Sequence, residues 1–475
     1  MSKAQRFYLI SLGCPKNLVD SAGIATLLRR AGYVAADVPE DADLLIVNTC
    51  GFIAPAREES ETVLRELVQA RQPRQRVIAA GCYSQRYPDE LIEAVPGLSG
   101  LIGTRRWMDI VTLADRLDTA DIDRASADID RASADIDRAS ADIGRASAVA
   151  SNYRQEPVCH LPEARTVGQD TQGVPRVAVQ GASAYLKLAD GCRRSCAFCA
   201  IPLIKGPAVS RPPEAILADA RWLAERGVQE MLLIAQDTTD YGHDLGMHEG
   251  LAGLLEQLVA EVPHVPWIRL MYAYPGRITE HLIEIMARHP QVLPYLDIPL
   301  QHAHPDVLRR MHRPADVERV RCTIERLRAA MPGIAIRTTF LVGYPGETEA
   351  EFQTLLDFVA KVAFDRVGVF TYSHEQGTPA ARLADNVPPD VKEERRRQLM
   401  ELQQPISQAR NRALLGETLD VLVEGQGDGM SVGRSYRDAP EIDGLVLVQA
   451  ELPVGRIVPV HITAALEYDL LGEPL

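Results

Sequence analysis

The 475-residue sequence is short of three things, and each shortage narrows its class. No apolar run is long enough to span a bilayer, and the opening Met-Ser-Lys-Ala-Gln-Arg-Phe lacks the apolar stretch of a secretory signal, so a cytoplasmic protein is expected. Eight cysteines in so long a chain argue against a disulfide framework and for metal or catalytic use. Positive charge is also scarce: 51 Lys and Arg against 65 Asp and Glu leave a net charge of −14. That balance disfavours broad binding to phosphates and favours a basic partner or a small substrate, though it leaves room for a local basic patch. What is present, 46% hydrophobic and 24% charged residues, is the composition of a globular protein. The length suggests about three domains.

The cysteines are not scattered. Residues 190–202 read Asp-Gly-Cys-Arg-Arg-Ser-Cys-Ala-Phe-Cys-Ala-Ile-Pro, with Cys192, Cys196 and Cys199 at C-x3-C-x2-C spacing. Soft thiolates select zinc, copper(I) or iron-sulfur, and a four-iron cluster has four irons to satisfy. Three local ligands leave one iron open, as a catalytic metal site requires. Zinc completed by a distant His or Cys is the bland alternative, but zinc more often uses two C-x2-C pairs.

Upstream, Phe7–Leu12, Leu44–Val47 and Val77–Ala80 read as short buried strands, followed by helical patterns over 17–30 and 55–72 and by another after Cys82. Strands alternating with helices imply a parallel sheet, and ligands gather at the carboxyl ends of such strands. Cys14, Cys50 and Cys82 each stand just after one of these strands, so three cysteines far apart in sequence are expected at one sheet edge. A small Cys filling a tight turn is the alternative for any one of them. Residues 119–148 hold Ala-Asp-Ile-Asp-Arg-Ala-Ser four times in tandem, the last copy with Gly144 in place of Asp. The seven-residue period is formally that of a coiled coil. With Ala as its second apolar position it reads instead as a flexible or partly helical linker, which the stretch with Cys159 and His160 extends to about 180.

A second alternating series follows, with candidate strands over 184–188, 230–235, 267–271, 295–298, 335–341 and 366–371. Six such units suggest an incomplete barrel with its chemistry at the strand C-terminal ends. Loops there carry Cys192, Gln236-Asp237-Thr238-Thr239, Gln301-His302, Gly343–Glu347 and Ser373-His374-Glu375. Turn-shaping and ordinary hydrogen bonding are the simpler readings of these loop residues, including His302, His304 and His374. Cys322, in a predicted amphipathic helix, reads as a small core residue. After a helix near 391–413, alternation over 418–424, 444–449 and 457–462 suggests a small antiparallel barrel. Residues 416–475 hold eleven acids against Arg434, Arg437 and Arg456, a balance of −8 that suits a basic protein better than nucleic acid.

The triad with Phe198 in the aromatic place resembles the radical S-adenosylmethionine signature. With the three upstream cysteines and the domain order, the whole chain resembles the methylthiotransferases. Ser11-Leu-Gly-Cys-Pro-Lys-Asn-Leu-Val-Asp-Ser21, Asn48-Thr-Cys-Gly-Phe-Ile53, Ala189-Asp-Gly-Cys192 and Ile234-Ala-Gln-Asp-Thr-Thr239 are similar to the RimO branch, which modifies an aspartate of the twelfth small-subunit ribosomal protein. The transfer-RNA branch typically has Gly-Gln-Asn-Val-Asn in the last of these places. Ala22-Gly23, where the branch commonly has Glu after Ser, and the repeat depart from the pattern.

The resemblance implies an α/β chain in four parts: an N-terminal parallel α/β domain (1–117), the linker (118–180), a partial (β/α)6 radical S-adenosylmethionine barrel (181–408) and a TRAM barrel (409–475). It implies S-adenosylmethionine and two [4Fe-4S] clusters as cofactors. Cys14, Cys50 and Cys82 would hold one cluster and Cys192, Cys196 and Cys199 the other, with Phe198 near the adenine. It also implies an electron donor such as flavodoxin or ferredoxin, with no membrane partner and no required contact with RNA. A transfer-RNA methylthiotransferase and a non-catalytic iron-sulfur electron carrier are the two rival readings, and Cys159 and Cys322 are the residues left to close a carrier's clusters.

Overall fold

A computed structural model describes residues 4–118, 156–163 and 172–475. The heptad repeat lies outside the described residues. The chain divides into two compact units, one ending at Val174 and one beginning at Pro175.

The first unit is built on six parallel strands: β1 (Arg6–Ser11), β2 (Val34–Ala35), β3 (Leu44–Thr49), β4 (Arg76–Gly81), β5 (Gly100–Gly103) and β6 (Val158–His160), in the order β2-β1-β3-β4-β5-β6. All six residues of β3 are buried, as a strand covered on both faces demands. Its side chains divide by parity. Leu44 and Ile46 join the apolar cluster of Ile24, Leu28 and Trp107, whereas Leu45 and Val47 join that of Leu64, Val77 and Leu91. Gly23 explains one departure in the sequence. A Cβ there would stand 2.4 Å from Trp107, so the absence of a side chain admits the indole to the helix Pro15–Arg30.

Two expectations need correction here. Cys159 and His160 are not linker: both lie in β6, whose pairing with β5 completes the sheet edge, and His160 Nε2 lies 2.8 Å from Asp109 Oδ2. A three-residue edge strand is too short to show a period. Cys322 is exposed on the helix Val317–Ala330, while Val320, Thr323, Ile324 and Leu327 are the buried residues of that helix.

The second unit carries β7 (Val177–Gln180), β8 (Ser183–Lys187), the short pair β9 (Ala189–Asp190) and β10 (Val209–Ser210), then β11 (Glu230–Ile234), β12 (Trp267–Leu270), β13 (Val292–Asp297), β14 (Ala335–Val342) and β15 (Arg366–Thr371). The main sheet runs β15-β14-β13-β12-β11-β8-β7, parallel except for the β7–β8 hairpin. It is a six-unit partial barrel with an added edge strand. Five further strands, β16 (Thr418–Gly427), β17 (Met430–Ser435), β18 (Val446–Val448), β19 (Ile457–Ala465) and β20 (Leu470–Pro474), close a small barrel in the order β16-β17-β18-β20-β19. Among the described residues no helix is long and apolar enough to cross a membrane.

The small barrel is fastened to the strands of the larger one by buried charge. Glu230 receives Arg269 from β12 and Arg434 from β17, each at 2.7 Å, while Arg437 pairs with Asp365 and Arg366 with Asp438, each at 2.6 Å. Burial alone would raise the Glu230 pKa, but the two guanidiniums more than offset it and bring it down to about 2. Because the folded value lies below the ordinary carboxylate value, this pair contributes stability above about pH 4.5 that is lost as pH falls towards 2. Removing one member of a buried ion pair costs roughly 3–5 kcal/mol because it strands the partner. Glu230→Ala is therefore expected to lower the unfolding midpoint by roughly 10 °C and to flatten the acid limb of the stability profile. A variant melting like the parent in calorimetry would show that the pairs contribute no net stability.

Candidate functional site

The N-terminal cysteines are brought together by register. Ser11 stands opposite Asn48, Asn48 opposite Ala80 and Thr49 opposite Gly81, so β1, β3 and β4 end level. Cys14, Cys50 and Cys82 therefore leave one sheet edge side by side. Asn17 binds the three turns together: its Nδ2 donates to the carbonyls of Leu12 (3.1 Å) and Thr49 (3.0 Å), and its Oδ1 accepts from the Cys82 thiol (3.5 Å). Asn48 donates in turn to the Asn17 carbonyl and to Ser21 Oγ, both at 2.9 Å, and Ser21 bonds Ser11 at 2.8 Å.

Approach is close enough to require glycine at one point. Gly13 has φ +85°, and a Cβ there would lie 2.8 Å from the Cys50 Cβ and 3.0 Å from its sulfur. Burial, and after it the neighbouring Cys14, helps push the Cys50 thiol up to about 11. Cys14 precedes the first residue of the helix Pro15–Arg30, and Cys82 opens the short helix Cys82–Arg86.

In the second unit the loop after β9 carries Cys192, Cys196 and Cys199 around a cavity of about 510 Å³, whose wall also includes Arg194, Leu203 and Gly377. Cys192 Sγ accepts from the Arg194 N–H at 3.4 Å, Cys196 Sγ from Arg313 Nη1 at 3.7 Å, and the Cys199 N–H donates to the Cys196 carbonyl at 3.1 Å. Burial pushes the Cys192 thiol up to about 11 and that of Cys199 up to about 12. Among the described residues no fourth Cys and no His lines this cavity. Phe198 does not line it either; its ring packs partly buried with Ala197, Val307, Met311 and Tyr344.

The other loops divide between scaffold and open questions. Asp237 holds Arg194 at 2.7 Å and Thr239 at 2.6 Å, and Thr238 donates to the Met271 carbonyl, so this loop braces the cysteine loop. His302 is buried, which drives its pKa down to about 3; its Nδ1 accepts from the His304 N–H at 2.9 Å, and its Nε2 has no partner among the described residues. Gln236 Nε2 is likewise buried without one. Burial raises Glu347 to about 7 against the pull of Arg395. His304 caps the helix Pro305–Arg310, and His374 is exposed.

Sequence reasoning missed a buried charge centre next to Cys192. Asp190 is ringed by Arg176, Lys187 and Lys205, and although burial opposes ionisation, these cations hold its carboxyl well below the usual range. The Asp190-Gly191-Cys192 run was the available signal, but its partners come from three other segments.

The fold agrees with what comparison with known proteins shows. Residues 186–359 match the radical SAM superfamily, residues 6–103 the "Uncharacterized protein family UPF0004", and residues 415–475 the TRAM domain. The ribosomal protein uS12 methylthiotransferase RimO of Roseiflexus sp. (strain RS-1) is 49% identical over 98% of this chain and 97% of its own. Its counterpart in Chloroflexus aurantiacus is 48% identical over 99% of this chain and 100% of its own. Among solved structures, the radical S-adenosylmethionine methyltransferase TsrM from Kitasatospora setae, with cobalamin and a [4Fe-4S] cluster bound, is 13% identical and shares the fold. It superposes with a TM-score of 0.52 over 90% of this chain and 81% of its own. The chain thus belongs to the RimO family of ribosomal protein uS12 methylthiotransferases, radical SAM transferases whose superfamily implies S-adenosylmethionine and a [4Fe-4S] cluster.

Proposed function

We propose that this enzyme adds a methylthio group to the β carbon of an aspartate in ribosomal protein uS12, with one four-iron cluster on Cys192, Cys196 and Cys199 and a second on Cys14, Cys50 and Cys82. The observation that carries the reading is that two separate thiol triads each gather at the carboxyl end of a parallel sheet. The donor sets fit clusters: three soft thiols each, one of them buried and two partly exposed, and among the described residues no fourth Cys or His on the cavity wall of the second. Among the described residues no group of three or more His, Cys, Asp or Glu is arranged for a single metal ion.

The bound groups supply one-electron cleavage of S-adenosylmethionine and a sulfur that can be methylated, which is chemistry no side chain offers. An aspartate β carbon has no leaving group and no usefully acidic proton, so polar catalysis is helpless there. The protein's part is to hold and position. Asn17 and Asn48 fix the first set of thiols, and Arg194, Arg313 and the Asp237 loop fix the second.

The small barrel supports a basic protein substrate. Arg434 and Arg437 are buried in the ion pairs with the larger barrel, which leaves Arg456 as its one exposed arginine, whereas Glu417, Asp420, Glu424, Asp428, Glu441, Glu451 and Glu473 are all exposed. Such a surface attracts Lys and Arg and repels phosphate. A ribosomal substrate places the reaction in the cytoplasm, with flavodoxin or ferredoxin as electron donor. The test is to incubate the anaerobically reconstituted enzyme with uS12 or small subunits and with transfer RNA, and to weigh both products. A methylthio aspartate with unmodified transfer RNA is expected; 2-methylthioadenosine with unmodified uS12 overturns the substrate.

A further inference from the structure

The Cys192–Cys199 loop borders a second depression besides the 510 Å³ cavity. Arg194 belongs to both sides: it lines that cavity and also a separate groove of about 360 Å³ with Tyr274, Arg277, Pro314, Asp316 and Arg319. The wall they share is built on Arg194 and Tyr274, with the guanidiniums of Arg194 and Arg313 at 4.4 Å and 4.3 Å from the Tyr274 ring centroid. Arg313 Nη1 reaches Cys196 Sγ at 3.7 Å, and the backbone N–H of Arg194 donates to Cys192 Sγ at 3.4 Å. Arg194 is neutralised by Asp237 and Asp240. The side chains of Arg277 and Arg319 are exposed and make no ion pair or hydrogen bond among the described residues, and Asp316, which caps the helix through the Arg319 N–H, leaves the rim with two free cations to one carboxylate.

We propose that this arginine groove is the docking face for a small acidic one-electron carrier protein, and that the Arg194–Tyr274–Arg313 wall is the route by which its electron reaches the cysteine triad. This rests on the proposed cluster at Cys192, Cys196 and Cys199. Three facts lead to it. The proposed function gives the cavity side of the triad to S-adenosylmethionine, so a reductant must approach from elsewhere, and electron transfer falls off steeply with distance. The groove comes within one residue of two thiols. A chain of net charge −14 repels an acidic carrier everywhere except at a local cationic patch, and the unpaired Arg277 and Arg319 form one at the rim. The same patch turns away a basic ribosomal substrate, for which the small barrel offers the opposite charge. Substrate and reductant thus have separate places to bind.

The test uses the full-length reconstituted enzyme and its Arg277→Glu, Arg319→Glu and double variants, with reduced flavodoxin as the acidic carrier and dithionite as a small reductant that needs no docking. Cluster reduction is followed spectroscopically, apart from turnover. The double variant is expected to be reduced by flavodoxin roughly tenfold or more slowly at low salt, a gap that closes as ionic strength rises. Its iron content, its reduction by dithionite and its dithionite-driven cleavage of S-adenosylmethionine should match the parent. Equal flavodoxin rates in parent and double variant overturn the docking face. Failure of dithionite to reduce any cluster in the parent overturns the cluster assignment instead, which separates the two claims. Arg277→Lys and Arg319→Lys should retain parental rates, since they keep the charge; loss in these variants also counts against an electrostatic face.

Discussion

A variant with Cys192→Ala, Cys196→Ala and Cys199→Ala is expected to bind half the iron of the parent and to produce no detectable 5'-deoxyadenosine. These three thiols converge on a single cavity, and among the described residues no other Cys or His lines it to replace them. The substitutions should leave the fold intact, because the loop is held by contacts that do not involve sulfur: Arg193 and Arg194 to Asp240, Arg194 to Asp237, and the Ala197 N–H to the Met311 carbonyl. Loss of activity can therefore be read as loss of the electron-transferring group rather than as unfolding. Iron and sulfide assays, far-ultraviolet circular dichroism and chromatography of nucleoside products check the three parts separately. Undiminished iron, or stoichiometric zinc in the parent, would refute the assignment.

The parts of the structure that were legible in the sequence are those encoded locally. Residues 44–47 of β3 and 231–234 of β11 are continuous apolar runs because both faces of each sheet are covered, and a cysteine shortly after each of β1, β3 and β4 needs only the parallel-sheet rule to be placed at one edge. The six inward-running units of the partial barrel followed in the same way. What stayed hidden depends on partners distant in sequence. β6 is three residues long and is defined by pairing with β5 across a gap of more than fifty residues. Cys322 stands in an amphipathic helix where position alone decides burial, and it falls one residue outside the buried stripe. The charges of Arg434 and Arg437 counted towards a surface balance in the sequence, yet both are consumed inside the unit by Glu230 and Asp365. Their burial sharpens the electrostatic argument, since the exposed face of the small barrel is more one-sided than its composition. Asn17 and Asn48 stood within the quoted motifs without a role; only the level strand ends reveal that one amide spans all three cysteine turns.

Changing Cys14, Cys50 and Cys82 to Ala should separate the two halves of the chemistry. The first unit holds these thiols through Asn17, Asn48 and Ser21, none of which needs the sulfur atoms to keep β1, β3 and β4 in register, so the sheet should survive. The second unit has its own core and its own triad, so cleavage of S-adenosylmethionine should continue. The expected outcome is a protein with half the iron that still makes 5'-deoxyadenosine from dithionite and S-adenosylmethionine, yet yields no methylthio aspartate above the detection limit of peptide mass spectrometry. Asn17→Ala probes the same site without removing a ligand. It deletes the amide that joins the Leu12 and Thr49 carbonyls, and it should lower iron retention in the first unit while leaving the second unit's cluster unchanged. If the triple variant instead loses 5'-deoxyadenosine formation with its remaining cluster intact, the first triad takes part in generating the radical, and the division of labour between the two sheets is wrong.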